Sequence, residues 1–214
     1  AEPSKLNILI LGIGGGRHDG PNLTDTIILA NINEGKNKVT LASIPRDLWI
    51  PDLDGYNKKI NEAYAKGELK KKGGGITLAE AVVEKVTGQS VDYAVRIDFN
   101  GFVRAVDVVG GLEIVVDNTL DDYRYPIGGK EDDSCGFSEE EIKEFVATVS
   151  AEKEISDKFS CRYKHLYFEK GSQHLDGEQS LEFVRSRHGI NGEGSDFARS
   201  KRQQKIITGF KDKI

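Results

Sequence analysis

The sequence predicts a three-layer α/β domain, and three observations carry the prediction. Short apolar runs that stop at glycine or polar turns alternate with stretches of helical periodicity. The chain has 214 residues, enough for one good-sized domain, and 37% of them are hydrophobic, enough for a packed core. Near the C-terminus two helical segments follow one another across a glycine-rich spacer. The reading is one domain over 1–214, interrupted at about 117–163 by an acidic, irregular insertion.

Leu6 to Leu11 is a nearly continuous apolar run leading into Gly12-Ile13-Gly14-Gly15-Gly16, which reads as a buried strand entering a turn. Thr26 to Ala30 and Val39 to Ser43 read as strands, and the turn residues between them (Asn31 to Lys36) make a hairpin the economical connection. Asn61 to Lys66 fits a short helix. Thr77 to Thr87 fits an amphipathic one, with Leu78, Ala81, Val82 and Val86 near one face and Gly88 as its stop. Tyr93 to Phe99 alternates like a strand, Gly101 to Val108 suits a helix, and Leu112 to Val116 follows the Gly110-Gly111 turn as a strand. Within the acidic region one helix is expected, from about Glu139 to Val149. Asp176 to Arg185 and Phe197 to Phe210 are the closing helices.

Charge narrows the function classes. The net charge is −5, which disfavours non-specific nucleic-acid binding, since that needs a broad basic surface. No apolar run reaches the length that spans a bilayer. The chain contains no methionine and begins Ala1-Glu2-Pro3-Ser4, which reads as a processed or cropped start. Cys135 and Cys161 lie 26 apart in the acidic region. Two unrelated buried thiols and a loop-stapling disulfide fit that spacing equally, while no ligand set for a metal accompanies them.

Against this acidic background, cations crowd into one place: Arg185, Arg187, Arg199, Arg202, Lys201 and Lys205, with Gln203 and Gln204 among them. Guanidinium is planar, always charged and matched to phosphate oxygens. Arg199, Arg202 and Gln203 fall at helical spacings of three and four, and Arg185 and Arg187 share a face if their segment is extended. Pairing with Glu182, Glu193 and Asp196 would account for only three of the six charges. A phosphorylated ligand is the reading preferred.

Ser43-Ile44-Pro45-Arg46-Asp47 follows a strand, where open α/β sheets place their ligands. Arg46 is a candidate phosphate clamp and Asp47 a candidate acid/base or metal group. Asp25, at the head of the Thr26 to Ala30 strand, and Asp19 before it offer hard oxygen ligands suited to magnesium on phosphate oxygens. The glycine run at 14–16 lacks both the Lys-Ser/Thr ending of a P-loop and a Gly-x-Gly-x-x-Gly pattern. No nucleophile motif is present, and phosphoryl transfer needs none, because positioning and charge neutralisation do most of the catalysis.

Eight short motifs in order then resemble the LytR-CpsA-Psr (LCP) family: Leu9-Ile10-Leu11-Gly12, Thr24-Asp25-Thr26, Ser43-Ile44-Pro45-Arg46-Asp47, Lys59-Ile60-Asn61-Glu62-Ala63-Tyr64, Gly110-Gly111, Leu175-Asp176-Gly177-Glu178-Gln179-Ser180-Leu181, Val184-Arg185-Ser186-Arg187, and the run from Asp196 to Gln204. The resemblance implies a three-layer αβα domain with a central mixed sheet. It further implies an extracytoplasmic phosphotransferase, held to the bacterial membrane by an N-terminal anchor outside this chain. Such enzymes move a glycopolymer (teichoic acid, capsule or similar) from a polyprenyl-pyrophosphate carrier to peptidoglycan, with Mg2+ or Mn2+.

By motif position, Arg46, Arg185, Arg187, Arg199 and Gln203 look like the family's pyrophosphate ligands, and Asp25 like a magnesium ligand. Val82, Val86, Phe99, Phe102 and Val106 are the residues expected to line a tunnel for the prenyl tail. This sequence departs from the pattern at Gly14, where the family usually has a second aspartate ligand, and at Leu23, where an arginine is common; Arg17 and Asp19 are the nearby residues that would compensate. The alternatives kept open are a polyprenyl-pyrophosphate pyrophosphatase and a non-catalytic lipid-phosphate-binding regulator.

Overall fold

A computed structural model describes residues 5–16, 20–53, 55–149 and 152–213. The chain divides into two compact units, Ala1–Arg104 and Ala105–Ile214.

The first unit is built on a mixed four-stranded sheet of order β3-β2-β1-β6, made of β1 (Lys5–Ile13), β2 (Thr24–Asn33), β3 (Lys38–Ser43) and β6 (Tyr93–Asp98). β1 to β3 form an antiparallel meander, while β6 joins β1 in parallel. A parallel neighbour requires a long crossover. Here it consists of the β4–β5 hairpin (Trp49–Leu53 and Tyr56–Lys59) and two helices, α1 (Ala63–Lys70) and α2 (Gly74–Thr87).

Along β1 the burial alternates: Leu9, Leu11 and Ile13 are sealed, and the residues between them are half-buried. Strict alternation in a strand presents one face to a core. That core gathers Ile27, Ile44, Ile50, Ile60, Tyr64, Ala79, Val82 and Val83. α1 and α2 approach backbone to backbone, because a Cβ on Gly67 would lie 2.3 Å from the Gly74 carbonyl oxygen. Gly88 closes α2 in the left-handed conformation, φ 66°, as the sequence predicts.

The second unit contains two antiparallel strand pairs, β7 (Leu112–Val116) with β10 (Gly171–Leu175) and β8 (Leu120–Pro126) with β9 (Tyr163–Phe168). α3 (Phe99–Val108) runs across the division between the units. α6 (Gly177–Arg185) opens with a capping box in which Asp176 and Gln179 each accept the other's backbone N–H. α7 (Asp196–Lys211) lies along β7, where a Cβ on Gly209 would come within 2.9 Å of Ile114 Cδ1.

The expected irregular region begins and ends in regular structure. β8 and the first residue of β9 fall inside it, and the excursion leaves from the far end of that ladder. It carries α4 (Glu139–Thr148), close to the expected helix, and α5 (Glu152–Lys158). Phe159 forms its small core, buried and edge-on to Phe137 and Phe145. Cys135 and Cys161 are joined by a disulfide, with Cα atoms 5.7 Å apart.

Candidate phosphate-binding residues

In the first unit the site begins at an irregularity. Gly12 pairs with Thr26 but Ile13 pairs with Thr24, so Asp25 is the extra residue of a bulge at the head of β2. A bulge leaves its residue outside the ladder and re-aims the side chain. Gly12 is needed there, since a Cβ would stand 2.9 Å from Thr26 Cβ.

The loop after β3 brings Arg46 to this bulge. Its backbone is fixed by Ile44 N–H to Ile27 O (2.9 Å), Leu48 N–H to Pro45 O (3.0 Å) and Asn61 N–H to Arg46 O (3.3 Å). Asn61 also accepts the Thr24 hydroxyl on its backbone carbonyl, so one buried residue ties both halves together.

Arg46 Nη1 donates to Asp25 Oδ1, and both side chains are about one-third exposed. Arg46 Nε lies 3.4 Å from Asp47 Oδ2, and Asp47 Oδ1 takes a 2.7 Å bond from the Lys59 ammonium. That hydrogen bond from Lys59, with the charges of Lys59 and Arg46 behind it, holds the Asp47 carboxyl below the usual carboxylate range. A carboxylate made more acidic by two cations is a poor proton donor or acceptor at neutral pH. The geometry suits Asp47 to orienting Arg46 rather than to the acid/base chemistry expected from the sequence.

Asp25 offers a hard cation a carboxylate at this strand head, and Asp19 lies outside the described residues. Magnesium is commonly held by one or two carboxylates together with substrate phosphates, so Asp25 fits a site that a phosphate ligand completes. Among the described residues, one trio of metal-type side chains lies within coordinating reach of one another: Asp133 and the two disulfide-bonded cysteines, whose sulfurs are already joined.

In the second unit the arginines stand on a braced ribbon. α6 ends at Arg185, and Ser186 continues in extended conformation, φ −51° and ψ 133°. Ser186 is fully buried, Arg185 half-buried and Arg187 exposed, so the two arginines flank an inward-facing serine, as their spacing predicts. Asp122 on β8, with no exposed surface, accepts the Ser186 hydroxyl (2.7 Å) and the His188 N–H (3.2 Å). Tyr125, three residues on, supplies its hydroxyl to Arg185 Nη1 at 3.5 Å, and burial pushes that phenol up to about 12.

Arg202 takes a different place from the one expected. It is 3% exposed; its Nε donates to Phe183 O (2.8 Å), its Nη2 to Ser186 O (2.7 Å) and its Nη1 to Glu193 O (2.8 Å) and Glu193 Oε2 (3.0 Å). A fork so occupied is a brace that holds the Arg185–Arg187 ribbon to α7, and it is withdrawn from the set of phosphate ligands. Arg199, one turn earlier and 8% exposed, and half-buried Gln203 remain in that set. Of the lysines, Lys205 is bound to Asp117 at 2.9 Å, and Lys201 sits over the Phe197 ring.

The expected tail-lining residues divide. Val82 is sealed in the first core and Val106 is fully buried, whereas Val86 is 40% exposed and Phe99 and Phe102 are half-buried on α3.

The sequence matches the LytR_cpsA_psr family over residues 1–214. The chain belongs to that family. It is 28% identical over 225 residues to biofilm regulatory protein A of Streptococcus mutans, covering 100% of this chain and 45% of that protein. It is 28% identical over 203 residues to the polyisoprenyl-teichoic acid–peptidoglycan teichoic acid transferase TagU of Bacillus cereus, covering 94% of this chain and 50% of that protein.

The chain thus spans about half the length of the curated relatives it matches. The crystal structure of Bacillus subtilis TagV is similar with a TM-score of 0.64 at 25% identity, over 100% of this chain and 66% of that one. The fold is also that of TagT (YwtF), solved with bound octaprenyl pyrophosphate, at a TM-score of 0.60 and 22% identity over 98% of this chain and 64% of that one.

Proposed function

We propose that this LytR_cpsA_psr chain carries the catalytic residues of a glycopolymer phosphotransferase that acts on a polyprenyl-pyrophosphate-linked glycan and attaches the polymer to peptidoglycan. The observation that carries the proposal is the Arg185–Arg187 ribbon. A buried carboxylate from β8 and a buried guanidinium from α7 hold this ribbon in place at Ser186, with an arginine on either side of it. Preorganised cations of this kind stabilise charge that develops on transferred phosphoryl oxygens.

In this reading Arg46, Arg185, Arg187, Arg199 and Gln203 bind the pyrophosphate, and Asp47 orients Arg46. A sugar hydroxyl of the acceptor attacks the phosphorus next to the glycan; the bridging P–O bond breaks and polyprenyl phosphate leaves. Mg2+, or Mn2+ in its stead, would be held by Asp25 together with the substrate's own phosphates and would neutralise charge there. The prenyl tail would follow the apolar side chains of α2 and α3, Val86, Phe99 and Phe102 among them. The same reading puts the protein on the extracytoplasmic face of a bacterial membrane. Among the described residues no helix is long and apolar enough to cross that membrane.

The test is to incubate the protein with geranylgeranyl pyrophosphate bearing a short glycan, with Mg2+, with and without peptidoglycan fragments. A ligase forms a glycan–peptidoglycan phosphodiester and releases prenyl phosphate. Prenyl phosphate released equally with and without fragments, and no adduct, identifies a pyrophosphatase instead. Binding with no product at all identifies a lipid-phosphate-binding protein.

A further inference from the structure

Next to Arg46 the β4–β5 hairpin carries a set of side chains that phosphate binding does not use. Trp49 is 57% exposed although tryptophan is highly buried on average. Its indole N–H donates to Asn57 Oδ1 at 2.9 Å, which fixes the ring on the hairpin's outer face and leaves the Asn57 amide N–H groups to donate elsewhere. Trp49 pairs across the ladder with Lys59, while the next residue, Ile50, turns into the core at 2% exposure. Lys59 holds Asp47 at 2.7 Å, and Asp47 lies 3.4 Å from Arg46. A line of neighbouring groups therefore runs from the exposed indole, carboxamide and ammonium of the hairpin to the carboxylate and the phosphate-assigned guanidinium of the loop that precedes it.

That sequence of groups matches one chemistry. A pyranose presents an apolar C–H face that lies on an aromatic ring, and an edge of hydroxyls that takes amide, ammonium and carboxylate partners. In a prenyl-pyrophosphate glycan the first sugar is bonded directly to the distal phosphate, so it lies one bridging oxygen away from the group Arg46 binds. The alternative occupant of an exposed tryptophan is a lipid headgroup region, and Leu48 and Pro51 beside it are exposed too, but the groups bonded in line with the indole are polar: Asn57 holds the ring, and Lys59, its partner across the ladder, holds Asp47.

We propose that Trp49, with Asn57 and Lys59, is the binding platform for the first sugar attached to the pyrophosphate. The proposal rests on Arg46 being a phosphate ligand. It assigns Trp49 to substrate specificity, setting which glycan the enzyme accepts.

Trp49 is the one tryptophan of the chain, so indole emission reads this position alone. The experiment titrates the full chain with geranylgeranyl pyrophosphate, with the same lipid carrying N-acetylglucosamine on its pyrophosphate, and with sugar-free anionic phospholipid vesicles. The expected result is a shift in indole emission with the sugar-bearing ligand only, and about three- to tenfold tighter binding of that ligand than of the sugar-free one. Trp49→Ala, followed by calorimetry, should abolish that advantage and leave the sugar-free affinity unchanged, while Trp49→Phe retains part of it. If sugar-free pyrophosphate binds but the sugar adds neither affinity nor an emission shift, the platform is refuted while the phosphate reading stands. If Arg46→Ala leaves sugar-free binding intact, the phosphate reading fails and the platform with it. An emission shift on vesicles alone assigns Trp49 to the membrane and overturns the sugar site.

Discussion

Asp47 shows how two neighbours decide what a carboxylate does. Lys59 and Arg46 hold its pKa down, so its ion pairs contribute stability that is present above the ordinary value of 3.8 and is lost as pH falls through the depressed folded value. Asp47→Asn should therefore be less stable than the parent at neutral pH, and the gap should close on acidification below that folded value. Urea unfolding across the acid range measures it. If Asp47 orients Arg46 and moves no proton, the same variant keeps the shape of the pH–rate profile and raises KM several-fold. A lost limb in the profile would return Asp47 to acid/base duty. Arg202 makes the converse point. Arg202→Met leaves the carbonyls of Phe183, Ser186 and Glu193 and the Glu193 carboxylate without their buried partner, and should destabilise by about 3 kcal/mol or more, measured by denaturant unfolding. Arg202→Lys should not rescue it, since one ammonium cannot span four acceptors.

At the scale of elements, legibility followed hydrophobic period. β1 was readable as a short apolar run that stops at glycine, α2 and α6 because their apolar residues recur at three and four, and α7 from the spacing of Arg199, Arg202, Gln203 and Ile206; Gly88 and Asp176 mark ends that glycine and a capping aspartate mark for physical reasons. The β4–β5 hairpin was not readable, because Pro51 and Asp52, at φ 28°, break the alternation where the register shifts. β8 was hidden for another reason: Leu-Asp-Asp-Tyr-Arg-Tyr buries a carboxylate, Asp122, which only its partners Ser186 and His188 justify.

The same limit applied at the site. Spacing put Arg199, Arg202 and Gln203 on one helix, but which arginine meets ligand and which meets backbone carbonyls depends on Phe183, Ser186 and Glu193, brought there by the chain's return. The cysteines, equally balanced on spacing, are bonded across 26 residues. Replacing both by serine should lower stability by up to about 3 kcal/mol. Hydrogen exchange should place the loss in the excursion between β8 and β9, with the Arg185–Arg187 ribbon still protected.

For the whole molecule, an acidic chain that binds a pyrophosphate must do so by local concentration of cations, and its affinity should fall as salt screens them. The most direct measurement is calorimetric titration of geranylgeranyl pyrophosphate into the parent chain and into Arg185→Ala and Arg187→Ala, the two positions that flank buried Ser186. Loss of one charge-assisted phosphate contact should weaken binding about 10- to 100-fold in each variant, with circular dichroism and unfolding midpoint unchanged. Affinity equal to the parent's in both variants would contradict the assignment of this ribbon to pyrophosphate.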